Sequence, residues 1–149
     1  MSTALIGAAG EHYVAYKLSH SGYCVGLSRG GSPFVDIMLS NKDGEGVAIQ
    51  VKTSQGARRE FKKKPQNNRW EFDVGHKARS LGGERLLYAF VDFDWGRSAP
   101  KVFIVPSADV KSKFAGTTYA RNLFWLLDDM KEKYLERWDY IESLLKKNA

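Results

Sequence analysis

One cysteine and three histidines are all that 149 residues contain of those types, and each shortage closes a class of function. A single thiol, Cys24, leaves no intramolecular disulfide and no thiolate cage for a metal. Its setting, Tyr23-Cys24-Val25, reads as a buried structural thiol in a reducing, cytoplasmic environment. His12, His20 and His76 are scattered and lack metal-ligand spacing. Long apolar runs are also missing: nothing approaches the roughly 18–20 residues of a membrane span. The opening Met1-Ser2-Thr3-Ala4 has no basic stretch ahead of an apolar one, so no secretory signal and no membrane partner are expected. No glycine-rich loop ends in Gly-Lys-Ser/Thr, and no Gly-x-Ser-x-Gly elbow is present.

What is present is the composition of an ordinary globular protein, 43% hydrophobic and 27% charged, in a length that suits one domain over residues 1–149. The net charge is +6, and most of the excess is local. Between Arg58 and Arg85 stand nine cations against four carboxylates. Among them Arg58, Arg59, Lys62, Lys63, Lys64 and Arg69 form the densest group, with Phe61 and Trp70 interspersed. Such a run is either solvated surface or a footprint for a nucleic-acid backbone, and both readings stand.

Periodicity places the elements. Ser2 to His20 reads as a helix, capped by Ser2 or Thr3 and closed by Ser21-Gly22. Its apolar stripe includes Val14, Ala15 and Leu18, and Glu11 lies on the same face. A carboxylate there is costly unless it meets a cation or metal, or sits at the stripe's edge and reaches solvent. A short strand, Tyr23 to Ser28, and a break at Arg29-Gly30-Gly31-Ser32-Pro33 follow. Pro65 to Asn68 reads as a loop. Arg85–Phe93 and Lys101–Val105 have few polar positions and read as central strands covered on both faces. Ser107 begins a helix, Asn122–Leu127 is ambiguous between strand and helix, and Lys131–Lys147 reads as one helix with a stripe of Tyr134, Trp138, Ile141 and Leu145. A motif-bearing core of about 3–106 and a C-terminal packing element of about 129–147 result.

The chemistry concentrates in Val35-Asp36-Ile37 and Ile49-Gln50-Val51-Lys52, on either side of Ser40-Asn41-Lys42-Asp43-Gly44-Glu45-Gly46. Two alternating runs around such a turn make a β-hairpin. Val35, Ile37, Leu39, Val47, Ile49 and Val51 face one way; Asp36, Gln50 and Lys52 face the other. With the turn centred near Asp43, Asp36 lies opposite Gln50, their Cβ atoms about 4.5–5.5 Å apart. A carboxylate, an amide oxygen and an ammonium on one face can bind a divalent cation and steer a phosphate. An ordinary solvated hairpin face has the same pattern.

Taken in order, Gly10-Glu11, Ser21-Gly22-Tyr23, Val35-Asp36-Ile37 and Gln50-Val51-Lys52-Thr53-Ser54 resemble the PD-(D/E)xK nuclease superfamily, including its Holliday-junction-resolvase-like and Mrr-like members. Here Val35 stands for the nominal Pro and Gln50 for the acidic residue before x-Lys. The resemblance implies a restriction-endonuclease-like α/β fold, a mixed sheet flanked by helices. It implies that Asp36 is the central metal ligand, that Gln50 gives its carbonyl oxygen, and that Glu11 completes the shell. Lys52 would position water or stabilise charge on the phosphate. Mg²⁺, with Mn²⁺ as substitute, and DNA are the implied cofactor and partner, in a cytoplasmic or nucleoid-associated protein, with a homodimer where the substrate is two-fold symmetric. The expected activity is metal-dependent endonucleolytic cleavage of DNA. A catalytically inactive nucleic-acid-binding module and a protein–protein scaffold are the alternatives.

Overall fold

The computed structural model describes residues 2–29, 34–115 and 121–146. In chain order the elements are α1 (Thr3–His20), β1 (Cys24–Leu27), β2 (Ile37–Ser40), β3 (Gly46–Ser54), β4 (Arg58–Arg59), β5 (Arg69–Asp73), β6 (Leu86–Asp92), β7 (Lys101–Pro106), α2 (Ser107–Lys113), β8 (Leu123–Leu127), α3 (Lys131–Tyr134) and α4 (Asp139–Lys146). A five-stranded mixed sheet runs β1-β2-β3-β6-β7, and a three-stranded sheet runs β4-β5-β8. The fold class is α/β, as expected. No described helix is long and apolar enough to cross a membrane.

Local signals explain most of the first half. The Leu5 N–H donates to the Ser2 hydroxyl at 3.3 Å, starting α1, and Gly22 adopts φ +96 just past its end. The hairpin register is the expected one, with Ile37 against Ile49 and Leu39 against Val47. Asn41 closes the turn by accepting from the Asp43 and Glu45 N–H groups at 3.0 Å each. The chain leaves the helix into β1 and then passes through residues 30–33, so most of the expected break lies outside the described residues.

Two apolar layers cover the five-stranded sheet. On one face Val14 and Leu18 of α1 and Ile141 and Leu145 of α4 meet Ile37, Ile49, Val51, Ala89 and Ile104. On the other, Tyr88, Phe90, Phe103 and Val105 meet Trp70, Phe72, Phe124 and Leu126 of the three-stranded sheet. That second layer is largely aromatic: Phe90 stacks on Phe124 at 5.2 Å, and Trp70 tilts against Phe103 at 5.1 Å.

Three expectations need correction. Cys24 is exposed rather than buried, because β1 is the edge of the sheet and pairs only with β2. β7 is likewise an edge strand rather than a central one, although its faces are covered. Its outer edge is closed by the chain after α3: Leu135 bridges to Phe103, and the Glu136 N–H donates to the Val102 carbonyl at 2.8 Å. This closure is also why Lys131–Lys147 is not one helix. Leu135 is drawn out to the strand, Glu136 takes φ +53, and helix resumes only at Asp139. Tyr134, Ile141 and Leu145 still reach the core, and Lys147 lies outside the described residues.

The loop after β6 is unusual. Asp94 (φ +48), Trp95 (φ +53) and Gly96 (φ +77) are successively left-handed. For a non-glycine residue that conformation costs on the order of 1–3 kcal/mol. Hydrogen bonds hold it: Asp94 N–H to the Asp92 carboxylate at 2.9 Å, Trp95 N–H to the Gln55 carbonyl at 2.7 Å, and Ser98 Oγ to Asp94 at 2.8 Å.

α1 approaches β3 so closely that a Cβ on Gly10 would fall 1.8 Å from Thr53 Oγ1 and 2.8 Å from Thr53 Cβ. Rotating the threonine does not clear the second contact, so the helix itself would move. Gly10→Ala should therefore destabilise the fold by about 1–3 kcal/mol despite alanine's better helix propensity. Denaturant unfolding of the variant checks this.

Candidate active site

The site forms where the main sheet forks. β2 pairs with β3 only between Gly46 and Ile49, while β6 pairs with β3 from Ala48 to Ser54. Beyond Ile49, β3 has lost its neighbour on one side. Asp36 sits at that point, one residue before β2. Its N–H still donates to the Ile49 carbonyl at 3.0 Å. Its carboxylate then accepts the Val51 N–H at 2.8 Å. The side chain thus stands in for the next backbone carbonyl and satisfies a donor that the departing strand leaves behind. Asp36 is fixed by the same geometry that ends the ladder.

Glu11 enters from α1, whose position is set by the Gly10 contact on Thr53. The two carboxyls are hydrogen-bonded to each other and both hold their protons above the ordinary range. For Glu11 the causes are burial first and then the charge of Asp36, partly offset by His12. For Asp36 burial again dominates, opposed by the Val51 N–H and the charge of Lys52. The hydrogen bond between them raises Glu11 and lowers Asp36.

Gln50 and Lys52 follow on β3, paired with Tyr88 and Phe90 of β6. The Gln50 Oε1 is buried without a hydrogen-bond partner. Leaving such an oxygen unsatisfied costs about 1–3 kcal/mol. Lys52 makes no ion pair among the described residues; its charge is felt by Asp36 across space. Three of the four residues singled out from sequence thus come together, Glu11 and Asp36 in contact and Lys52 within electrostatic reach, while the Gln50 backbone lies one step beyond the last laddered pair, Ile37 with Ile49. No group of three His, Cys, Asp or Glu residues able to hold a metal occurs among the described residues. The donor set here is two carboxylates and an amide oxygen, all hard oxygen ligands of the kind Mg²⁺ takes. Two partly buried carboxyls, with an orphaned amide oxygen on the adjoining strand, fit such an ion.

The basic segment divides. Arg58 lies over Trp70 at 4.2 Å and is ion-paired with Asp128 and Glu60. Arg69 is held 2.9 Å from Glu71 and stacked over Trp125 at 3.9 Å. Arg59 donates to the Gly56 and Arg58 carbonyls at 3.0 Å each. These three serve the three-stranded sheet, which sequence reasoning does not find. A signal for it exists: in Arg69-Trp70-Glu71-Phe72-Asp73 the apolar residues alternate, and Trp70 and Phe72 are the ones buried. Lys62, Lys63 and Lys64 are exposed on a turn and have no partner among the described residues.

No family model matches the chain, and no curated protein matches it. Among solved structures, a bacterial homing endonuclease superposes with a TM-score of 0.63 at 15% identity, over 95% of this chain and 93% of that one. The likeness establishes a shared fold.

The raised carboxyls give a sign to the pH dependence. Folded protein holds these protons more tightly than unfolded protein. Their stabilising contribution is therefore complete below the ordinary values of 4.5 and 3.8 and is lost as pH rises through the raised ones. Glu11→Gln should then raise the melting temperature in EDTA at neutral pH, and the gain should vanish as pH falls below the carboxylate range. Calorimetric melts of both proteins across pH measure this; a structural ion pair would show the opposite sign.

Proposed function

We propose that this chain is a metal-dependent DNA endonuclease of the PD-(D/E)xK type, with Asp36, Gln50 and Glu11 holding Mg²⁺ and Lys52 beside the phosphate. The observation that carries the reading is the orphaned Gln50 Oε1 on the strand next to a partly buried carboxyl pair, Glu11 and Asp36. The fold shared with a homing endonuclease supports DNA as substrate. The three free lysines support a phosphate backbone as partner.

Bound there, Mg²⁺ or Mn²⁺ would supply Lewis acidity at a phosphate oxygen and lower the pKa of a water. The chain's own residues do the rest. The Val51 N–H orients Asp36, so the ligand is in place before substrate arrives. Both carboxyls bind protons more readily than ordinary ones, so metal loading should fall as pH falls. Gln50 contributes oxygen without charge, leaving the site with one carboxylate fewer than an all-acidic set would give. Lys52 holds a fixed positive charge where negative charge grows on the phosphorus oxygens. Each chain carries one site, so cutting both strands of a duplex calls for two copies or two encounters.

Purified protein should nick or cut DNA with Mg²⁺ or Mn²⁺ and stop in EDTA. Asp36→Ala and Lys52→Ala should each reduce cleavage by at least about a hundredfold, and unchanged cleavage by both would assign the activity elsewhere. Calorimetric Mg²⁺ titration addresses Gln50 directly. Gln50→Glu should keep or strengthen binding, Gln50→Leu should weaken it, and three indistinguishable affinities would remove Gln50 from the site.

Replacing Lys62, Lys63 and Lys64 together by Ala should flatten the dependence of log affinity on log salt by up to about 3, close to 0.9 for each phosphate that a lysine neutralises. Gel shifts in EDTA measure it. Salt-dependent binding without cleavage in any metal would favour the non-catalytic module instead.

A further inference from the structure

Trp95 takes no part in the site described above, yet its setting is costly. Its side chain is the most exposed large apolar one among the described residues, at 64%. Its backbone is left-handed, as is that of Asp94 before it, and a set of hydrogen bonds keeps the loop so. The indole rests against Gly56, where an added Cβ would fall 2.0 Å from Trp95 Nε1, so that residue 56 must lack a side chain for the ring to lie there. A strained, tightly held backbone that leaves a large ring in solvent gains nothing for packing. It fixes the direction in which the ring is offered.

The ring also lines a groove beside two elements that carry the candidate site. Ile6, Ala9, Gln55, Phe93, Trp95 and Pro100 line an open groove of 340 Å³. Ala9 lies two residues before Glu11 on α1, and Gln55 lies three residues after Lys52 at the end of β3. The groove therefore begins where the two elements that carry the site run on past it. Its lining is mostly apolar. Three residues of extended chain span roughly 10 Å, so a polymer with a phosphate at the carboxyl pair can bring a neighbouring base to the groove, and an indole accepts any base because every base has a π-face.

We propose that Trp95 stacks on a nucleobase adjacent to the scissile phosphate, the groove between α1 and the loop after β6 receiving that base. The inference rests on the DNA reading above. It makes Trp95 a substrate-positioning residue whose contribution is apolar, unlike that of the lysines.

Fluorescence anisotropy with a labelled DNA hairpin carrying a single-stranded tail, in EDTA over a range of salt, tests it. Trp95→Ala and Trp95→Gly should each weaken binding by roughly ten- to a hundredfold, with the slope of log affinity against log salt unchanged. Trp95→Phe should stay near wild type. Glycine is at ease with a positive φ, so Trp95→Gly should melt no lower than wild type, which separates loss of the stacking ring from loss of the fold. Variants that bind as tightly as wild type would overturn the stacking role alone. So would weaker binding with a shallower salt slope, or weaker binding only in step with a lowered melting temperature, since each makes the indole a prop for its own loop. Failure of wild type to bind DNA even at low salt would remove the DNA reading and this inference together.

Discussion

The hydrogen bond from the Val51 N–H to the Asp36 carboxylate organises the rest of the molecule. β3 has two neighbours along its first half and one along its second, and this bond lies at the changeover. Without an acceptor there, a buried backbone donor would be stranded at the mouth of the fork. With a carboxylate as that acceptor, the side chain at the end of one ladder is held in a fixed position. α1 packs on the face of the sheet beside this point, and its close approach at Gly10 brings Glu11 to Asp36. Fold and site are therefore one arrangement rather than a scaffold with a site added.

The cost of that arrangement is spread over three groups. Two partly buried carboxyls sit against each other, and an amide oxygen is buried without a donor. None of this helps the protein fold. Natural proteins depart from good packing chiefly at functional positions, and here the departures are contiguous.

Much of this is readable in the residues. Ser2 and Gly22 bracket the first helix, alternation fixes the hairpin, and a turn centred near Asp43 sets Asp36 against Gln50 without any structure. Local rules suffice because those contacts are local. The three-stranded sheet escapes them because β4 and β5 are short and lie in a charged segment, where arginines invite a solvent-exposed reading. Arg58 and Arg69 instead lay their guanidinium planes on Trp70 and Trp125, which no periodicity announces. The exposure of Cys24 escapes them too, because strand order, not neighbouring residues, decides which strand is the edge. The C-terminal stripe has the right spacing for an unbroken helix; the interruption comes from β7, some thirty residues earlier in the chain, whose open edge takes Leu135.

That last contact has a consequence for how the protein behaves in solution. An apolar strand such as β7, with Val102, Phe103, Ile104 and Val105 all buried, is a template for intermolecular β-pairing if its outer edge is free. Leu135 and Glu136 occupy that edge, so the C-terminal segment acts as a built-in chaperone for the strand. Chains shortened before Leu135, or caught before that segment docks during synthesis, expose a sticky edge while the rest of the sheet is already formed. The characteristic failure of such chains is aggregation rather than simple loss of stability.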